Sequence, residues 1–220
     1  MYSVIIPTLW KANLDDFKET LAVINSNDDV KEIIVIDNDP TFDIETKQNV
    51  FSNITKLHHL RMNENVYVNP AWNIGASKAS QEFLVFLNDD VWCNPSINTV
   101  FNAHKLHEDK DGLFGLSTSC FQNKNPREVN EFEDIIIVDN EGRGTGWGCF
   151  FFIKREQWVP IPDELKIWCG DDFITHNAIS KQRKIYSIKN VYVTPWSTTE
   201  RAPEFSEIKQ NDIKIFFNTN

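Results

Sequence analysis

The chain has 220 residues, 41% of them hydrophobic, which fits one α/β domain with a real core. A formal charge of -10 and a pI near 5.0 argue against a nucleic-acid or anionic-membrane surface, where a basic patch is expected. No stretch approaches the roughly 18 apolar residues of a membrane span, and the opening MYSVIIPT lacks the basic region of a signal peptide.

That opening reads instead as a first strand over residues 3–7, a β-branched run stopped by proline. Asn13 or Asp15 is placed to cap a helix on which Phe17, Leu21 and Ile24 share one face. A second buried strand, KEIIVID, spans 31–37, a short helix is expected near 44–51, and a third strand near 55–62. Residues 70–80 (PAWNIGASKAS) read as a helix with its proline early, and 83–87 (FLVFL) as a fourth strand. The second half is less regular, with a helix over 96–106 and strands over 113–117 and 135–138. A Gly-rich loop then feeds an apolar strand within 141–156, a helix begins near 170, and another strand is expected over 189–193. The tail after Trp196 is polar and gives no clear pattern.

Strands alternating with helices indicate parallel βαβ units, in which ligands sit beyond the carboxyl ends of the strands. Three strands end in polar residues: Thr8, then Asp37, Asn38 and Asp39, then Asn88, Asp89 and Asp90. They are expected on one rim. Carboxylates on a turn at a strand end suit a hard divalent cation such as Mg²⁺ or Mn²⁺, although Asn and Asp also favour turns for their own sake.

Two further stretches carry candidate chemistry. In Gly144-Thr145-Gly146-Trp147-Gly148 the glycines permit close backbone approach, and Trp147 is expected to stack on a sugar face or cover the site. The plainer alternative is a flexible turn before a strand. Asp171 and Asp172 stand at a predicted helix start, where acidic residues commonly cap. The functional alternative is a general base, since a carboxylate beside another carboxylate has its pKa raised. His104 and His107 lie one helical turn apart, a spacing that suits a solvated helix face better than a metal site. Cys93, Cys120, Cys149 and Cys169 are spaced for neither a zinc cluster nor a disulfide scaffold, and read as reduced thiols in a cytoplasmic protein.

Taken together, six stretches resemble the family 2 glycosyltransferases of the GT-A fold, in the family's order and over about residues 2–180. SVIIPT resembles the first strand, whose end contacts the nucleotide, and EIIVIDND the second, with Asp37 and Asn38 at the acidic pair that reads the base. NVYVNPAWNIGASKA is similar to the family's Asn- and Gly-containing helix segment, with Asn65, Asn73 and Gly75 matching and Tyr67 where Gly is usual. FLVFLNDDV resembles the strand ending in the D-x-D metal motif, in its N-x-D form, which puts Asp90 at the metal and Asn88 at the first position. GWGCFFFIKRE resembles the region beside the donor sugar, and IWCGDDF the acidic pair that holds the catalytic base. Many members place a His later in the chain as a metal or phosphate partner; near that place stand Thr194 and Pro195.

The resemblance implies one GT-A domain over 1–220, with a nucleotide-binding half over 1–92 and a donor-sugar and acceptor half over 93–220. It implies nucleotide contacts from Pro7, Thr8, Asp37, Asn38, Asn73 and Asp89, donor-sugar contacts from Trp147 and Gly148, and Mn²⁺ or Mg²⁺ on Asp90. Asp171 or Asp172 would then take the proton of an acceptor hydroxyl in a single inverting displacement. The partners implied are a nucleotide-diphosphate sugar and a glycan, lipid-linked or protein-linked acceptor. Two other readings stand beside it: a sugar nucleotidyltransferase, for which PTLWKANLDD lacks the Gly-rich basic loop, and an inactive sugar-binding module, which needs no base.

Overall fold

The computed structural model describes every residue except 122–124, 132, 140–143, 145, 195–201 and 220. Strand β1 (Tyr2–Thr8) is buried throughout and pairs in parallel with β2 (Val30–Asp37) on one side and β4 (Phe83–Leu87) on the other. Its unbroken apolar run follows from burial on both faces, which leaves no solvent side to alternate with. Val4 and Ile6 join Val35 and Val85 in one core, while Ile5 joins Ile34, Ile36 and Leu84 in the other. Strand β3 (Leu57–Arg61) continues the sheet in parallel beyond β2.

Helices α1 (Leu14–Ser26), α2 (Ile44–Val50) and α4 (Ile97–Lys105) cover the first core. Asn13 caps α1, its side chain accepting from the amides of Asp15 and Asp16. Helix α3 (Val68–Lys78) and helix α5 (Gly170–Ser180) cover the second core. Gly75 lets α3 lie close on the sheet, because a Cβ there would stand 2.4 Å from Ile5 Cγ2.

Beyond β4 the sheet changes direction. Strand β8 (Phe150–Lys154) runs antiparallel to both β4 and β6 (Gly112–Leu116), and β6 pairs in parallel with β9 (Lys184–Lys189). Strand β7 (Ile136–Asp139) closes the edge, giving the order β3-β2-β1-β4-β8-β6-β9-β7. A short antiparallel pair, β5 (Cys93–Asn94) with β10 (Tyr192–Val193), lies apart from it. Phe150 and Phe152 enter the first core and Phe151 the second, each burial stabilising by about 1.5–3 kcal/mol.

Three sequence expectations are corrected. The strand expected over 189–193 is divided: β9 ends at Lys189, Asn190 with φ 65° breaks the chain direction, and Tyr192–Val193 forms β10 of the short sheet. The tail forms helix α6 (Ser206–Thr219), preceded by a 3₁₀ turn at Pro203–Phe205. His104 is fully buried instead of solvated: Phe152 stacks on it at 4.3 Å and its Nδ1 meets the Tyr2 hydroxyl at 3.0 Å. Among the described residues no helix is long and apolar enough to cross a membrane.

Candidate active site

The ends of β1, β2 and β4 meet on one rim, as the parallel order requires. Thr8 ties them: its carbonyl accepts the Asn38 amide at 2.9 Å and its hydroxyl donates to Asp89 Oδ2 at 2.6 Å. Pro7, Thr8, Asn38, Asp89 and Asp90 all line one open cleft of about 580 Å³, solvent at its mouth included. Burial, and then the neighbouring Asp90 charge, push the Asp89 carboxyl up to about 7, with the Thr8 bond opposing.

The 88–90 turn is held from two sides. The Asn88 amide donates to the Cys149 carbonyl at 2.9 Å, and the Thr194 hydroxyl donates to the Asp90 carbonyl at 2.8 Å. Thr194 thus stands beside Asp90, where the resemblance led us to look for a His, but its hydroxyl serves the backbone. Pro195 lies outside the described residues, as does Thr145.

Asp171 and Asp172 open α5. A Cβ built on Gly148 would stand 2.7 Å from Asp171 Oδ2, so only glycine lets the carboxylate lie there. Gly148 precedes Cys149, which holds Asn88. The two acidic pairs therefore flank one dipeptide at the same edge of the sheet. Ahead of α5, Asp212 of α6 accepts from the amides of Lys166, Ile167 and Trp168 at 3.1, 2.8 and 2.9 Å. Asn69 of α3 donates to the Leu165 and Trp168 carbonyls, fixing the same loop from the other side.

Three residues expected at the ligand stand elsewhere. Asp37 is fully buried: Trp10 Nε1 and Lys47 Nζ each donate at 2.7 Å, and His59 Nε2 lies at 2.9 Å. Burial alone would raise its pKa, but these bonds outweigh it and hold the carboxyl below its ordinary value. Its neighbour Asn38, not Asp37, lines the cleft. Asn73 forms a reciprocal pair with Ile161, donating to its carbonyl at 2.8 Å and accepting its amide at 2.9 Å, and so staples α3 to the 161 loop. Trp147 is fully buried and stacks on Phe151 at 4.8 Å, in a space opened by Gly115, where a Cβ would meet the indole. It is core, with no face for a sugar.

The donor set in the cleft is of oxygen: the Asp89 and Asp90 carboxylates and the Asn88 side chain, whose buried Oδ1 has no hydrogen-bond partner. Hard oxygen ligands with an orphaned amide oxygen among them fit Mg²⁺ or Mn²⁺. No group of three or more His, Cys, Asp or Glu side chains gathers at ligand spacing among the described residues, so a bound substrate would have to supply the remaining oxygens.

The profile "Glycosyl transferase family 2" matches residues 3–158. The chain belongs to this family. A family 2 glycosyltransferase is an enzyme, and the rim just described is where its fold places a ligand. A search of curated proteins finds no match. Among solved structures, TarS of S. aureus, residues 1–349, superposes with TM-score 0.61 at 17% identity, over 88% of this chain and 60% of that one. The same TarS fragment in complex with UDP-GlcNAc gives 0.63 at 19% identity, over 94% and 64%. GalNAc-T7 with UDP, GalNAc and Mn²⁺ gives 0.64 at 14% identity, over 98% and 47%. At these identities the likeness establishes the GT-A fold of this family 2 chain, which spans about 60% of the TarS fragment.

Sequence reasoning missed part of the family 2 cleft. Lys11, Tyr67, Ile167 and Phe205 also line it. Tyr67 carried a signal, since it stands where the motif has Gly. Phe205 carried none, because its place depends on how the tail folds back.

Proposed function

We propose that this chain is a metal-dependent, inverting glycosyltransferase that moves a sugar from a nucleotide-diphosphate donor to an acceptor hydroxyl. The observation that carries the reading is the shared edge: Asp89 and Asp90 on one side of Gly148-Cys149, Asp171 on the other. A reaction that must neutralise a leaving diphosphate and deprotonate an incoming hydroxyl needs two acidic groups set apart in this way.

Pro7, Thr8 and Asn38 bind the nucleotide, and Asp37, Asn73 and Trp147 support that surface from within. Asp90, with Asp89 and the Asn88 oxygen, would hold Mn²⁺ or Mg²⁺. The ion, when bound, offsets charge on the leaving phosphate. Gly148, expected beside the donor sugar, admits the Asp171 carboxylate against its backbone and so sets where that group stands. Asp171 or Asp172 accepts the proton of the acceptor hydroxyl as that oxygen attacks the anomeric carbon. Attack opposite the leaving phosphate inverts the centre. The solved relatives were captured with UDP, UDP-GlcNAc and GalNAc, so UDP-sugars are the first donors to try. The acceptor is read as a glycan, lipid-linked or protein-linked hydroxyl. The wide spacing of the four cysteines, which suits no disulfide scaffold, supports a cytoplasmic setting. Cleft residues Pro7 to Asp90 come from the first half and Ile167 and Phe205 from the second, which supports reading 1–220 as one working unit.

The test is release of free nucleotide from a donor panel with and without Mn²⁺. Wild type should turn over a donor only with the ion. Asp90→Ala should lose that turnover while remaining folded, and one of Asp171→Asn and Asp172→Asn should lose it far more than the other. Undiminished turnover in Asp90→Ala removes the metal assignment, and wild-type rates in both Asn variants remove the base.

A further inference from the structure

The cleft has two chemically different ends, and a chain of contacts orders them. Asp89 touches Thr8, the Thr8 carbonyl takes the Asn38 amide, and Asn38 Oδ1 accepts the Val66 amide at 3.3 Å. Next to Val66 stands Tyr67. The carboxylates therefore lie at one end and Tyr67 at the other.

Tyr67 is unusual twice over. Its backbone has φ 70° and ψ −179°, a region that is essentially glycine's alone, and no glycine stands there. Its ring lines the cleft and meets Phe205 edge to face, centroids 6.5 Å apart at 81°. Two rings at right angles make a corner, flat on one wall and flat on the other. Phe205 is held in that corner by Lys11, whose ammonium lies 5.2 Å over its ring and bonds Glu204 at 2.5 Å. Strain of this kind persists where the surroundings enforce it, and a glycine would relieve it at once.

We propose that Tyr67 and Phe205 form the wall on which the donor's nucleobase stacks, and that the strained backbone of Tyr67 is kept for that ring. This rests on the donor reading above. A planar base suits the corner because any base has an aromatic face, and stacking on a protein ring strengthens binding substantially. Asn38, beside it, offers an amide to the base edge. The carboxylate end, by contrast, suits the diphosphate with its cation.

The experiment measures binding of UDP, GDP and dTDP, and of pyrophosphate as a base-free control, each with Mn²⁺, together with the melting temperature of the free protein. Tyr67→Gly should melt at the wild-type temperature or higher, bind the preferred nucleotide about tenfold or more weakly, and bind pyrophosphate as wild type does. Tyr67→Phe should keep the affinity, and Phe205→Leu should lose it as Tyr67→Gly does. Wild-type nucleotide affinity in Tyr67→Gly overturns the proposal alone. An equal loss for pyrophosphate also overturns it, since Tyr67 would then be shaping the cleft instead of holding a base. If wild type binds none of the three nucleotides, the donor reading fails, and the stacking wall with it.

Discussion

Gly148 and Asp171 touch across 23 residues of sequence so closely that a Cβ on the glycine would stand 2.7 Å from the carboxylate oxygen. The contact sets where Asp171 can be. Gly148→Ala should therefore displace it, and a misplacement of about 1 Å at a reacting group costs on the order of 100-fold in rate. We expect kcat to fall by that order with little change in donor KM or in melting temperature. An alanine variant of wild-type kcat would detach Asp171 from the reaction.

Asp212 accepts three consecutive amides of the loop that leads into α5. Asp212→Ala leaves those donors without an acceptor, at about 1–3 kcal/mol for each one that water cannot reach. Urea denaturation should show a loss of about 3 kcal/mol or more. Asp212→Asn, which keeps one acceptor oxygen, should recover part of it. If the alanine variant unfolds at the wild-type urea concentration, the latch contributes nothing.

Asp37 and Lys47 form a buried ion pair at 2.7 Å. Removing one partner leaves a buried charge uncompensated, typically at about 3–5 kcal/mol. Lys47→Met should cost that much, and Asp37→Asn added to it should restore most of the loss. Because Asp37 is held below its ordinary pKa, its contribution is complete above the unfolded value of 3.8 and is lost as pH falls through the lower folded value. Additive losses in the double variant would show that the pair does not couple.

His104 adds an acid sensitivity of the same sign as that of Asp37. Burial, then nearby positive charge, push its pKa down from 6.5 to about 3. Between those values the unfolded chain holds a proton that the folded chain does not, so stability falls as pH drops through the window, by about 1.4 kcal/mol per pH unit. Above it the group contributes no slope. His104→Gln, which can still accept from the Tyr2 hydroxyl, should flatten the stability profile between about pH 6 and 4. An unchanged slope would mean that other groups set the acid sensitivity.

The first half of the fold was legible because its strands are buried on both faces. Such strands read as unbroken apolar runs, and β1, β2 and β4 could be placed almost to the residue. The rim was legible for the same reason, since polar residues had to begin where the runs ended. Which of two adjacent rim residues faces the ligand was not. Asp37 and Asn38 differ only in direction, and Lys47, ten residues on, decides it. Trp147 misled because an aromatic after glycine resembles a ligand platform, and only its packing beside Gly115 shows a core residue. The tail was opaque because the fully buried position of α6 is a carboxylate, Asp212, which carries no apolar signal.

Strand β8 runs against its neighbours β4 and β6. In a uniformly parallel sheet only the connections that leave a strand reach the ligand edge. A reversed strand delivers its entrance there as well, so Trp147–Cys149, which lead into β8, stand at the same edge as the 88–90 turn. A change in that entrance therefore bears on the 88–90 turn and on Asp171 together, and leaves the ends of β1 and β2 as they are.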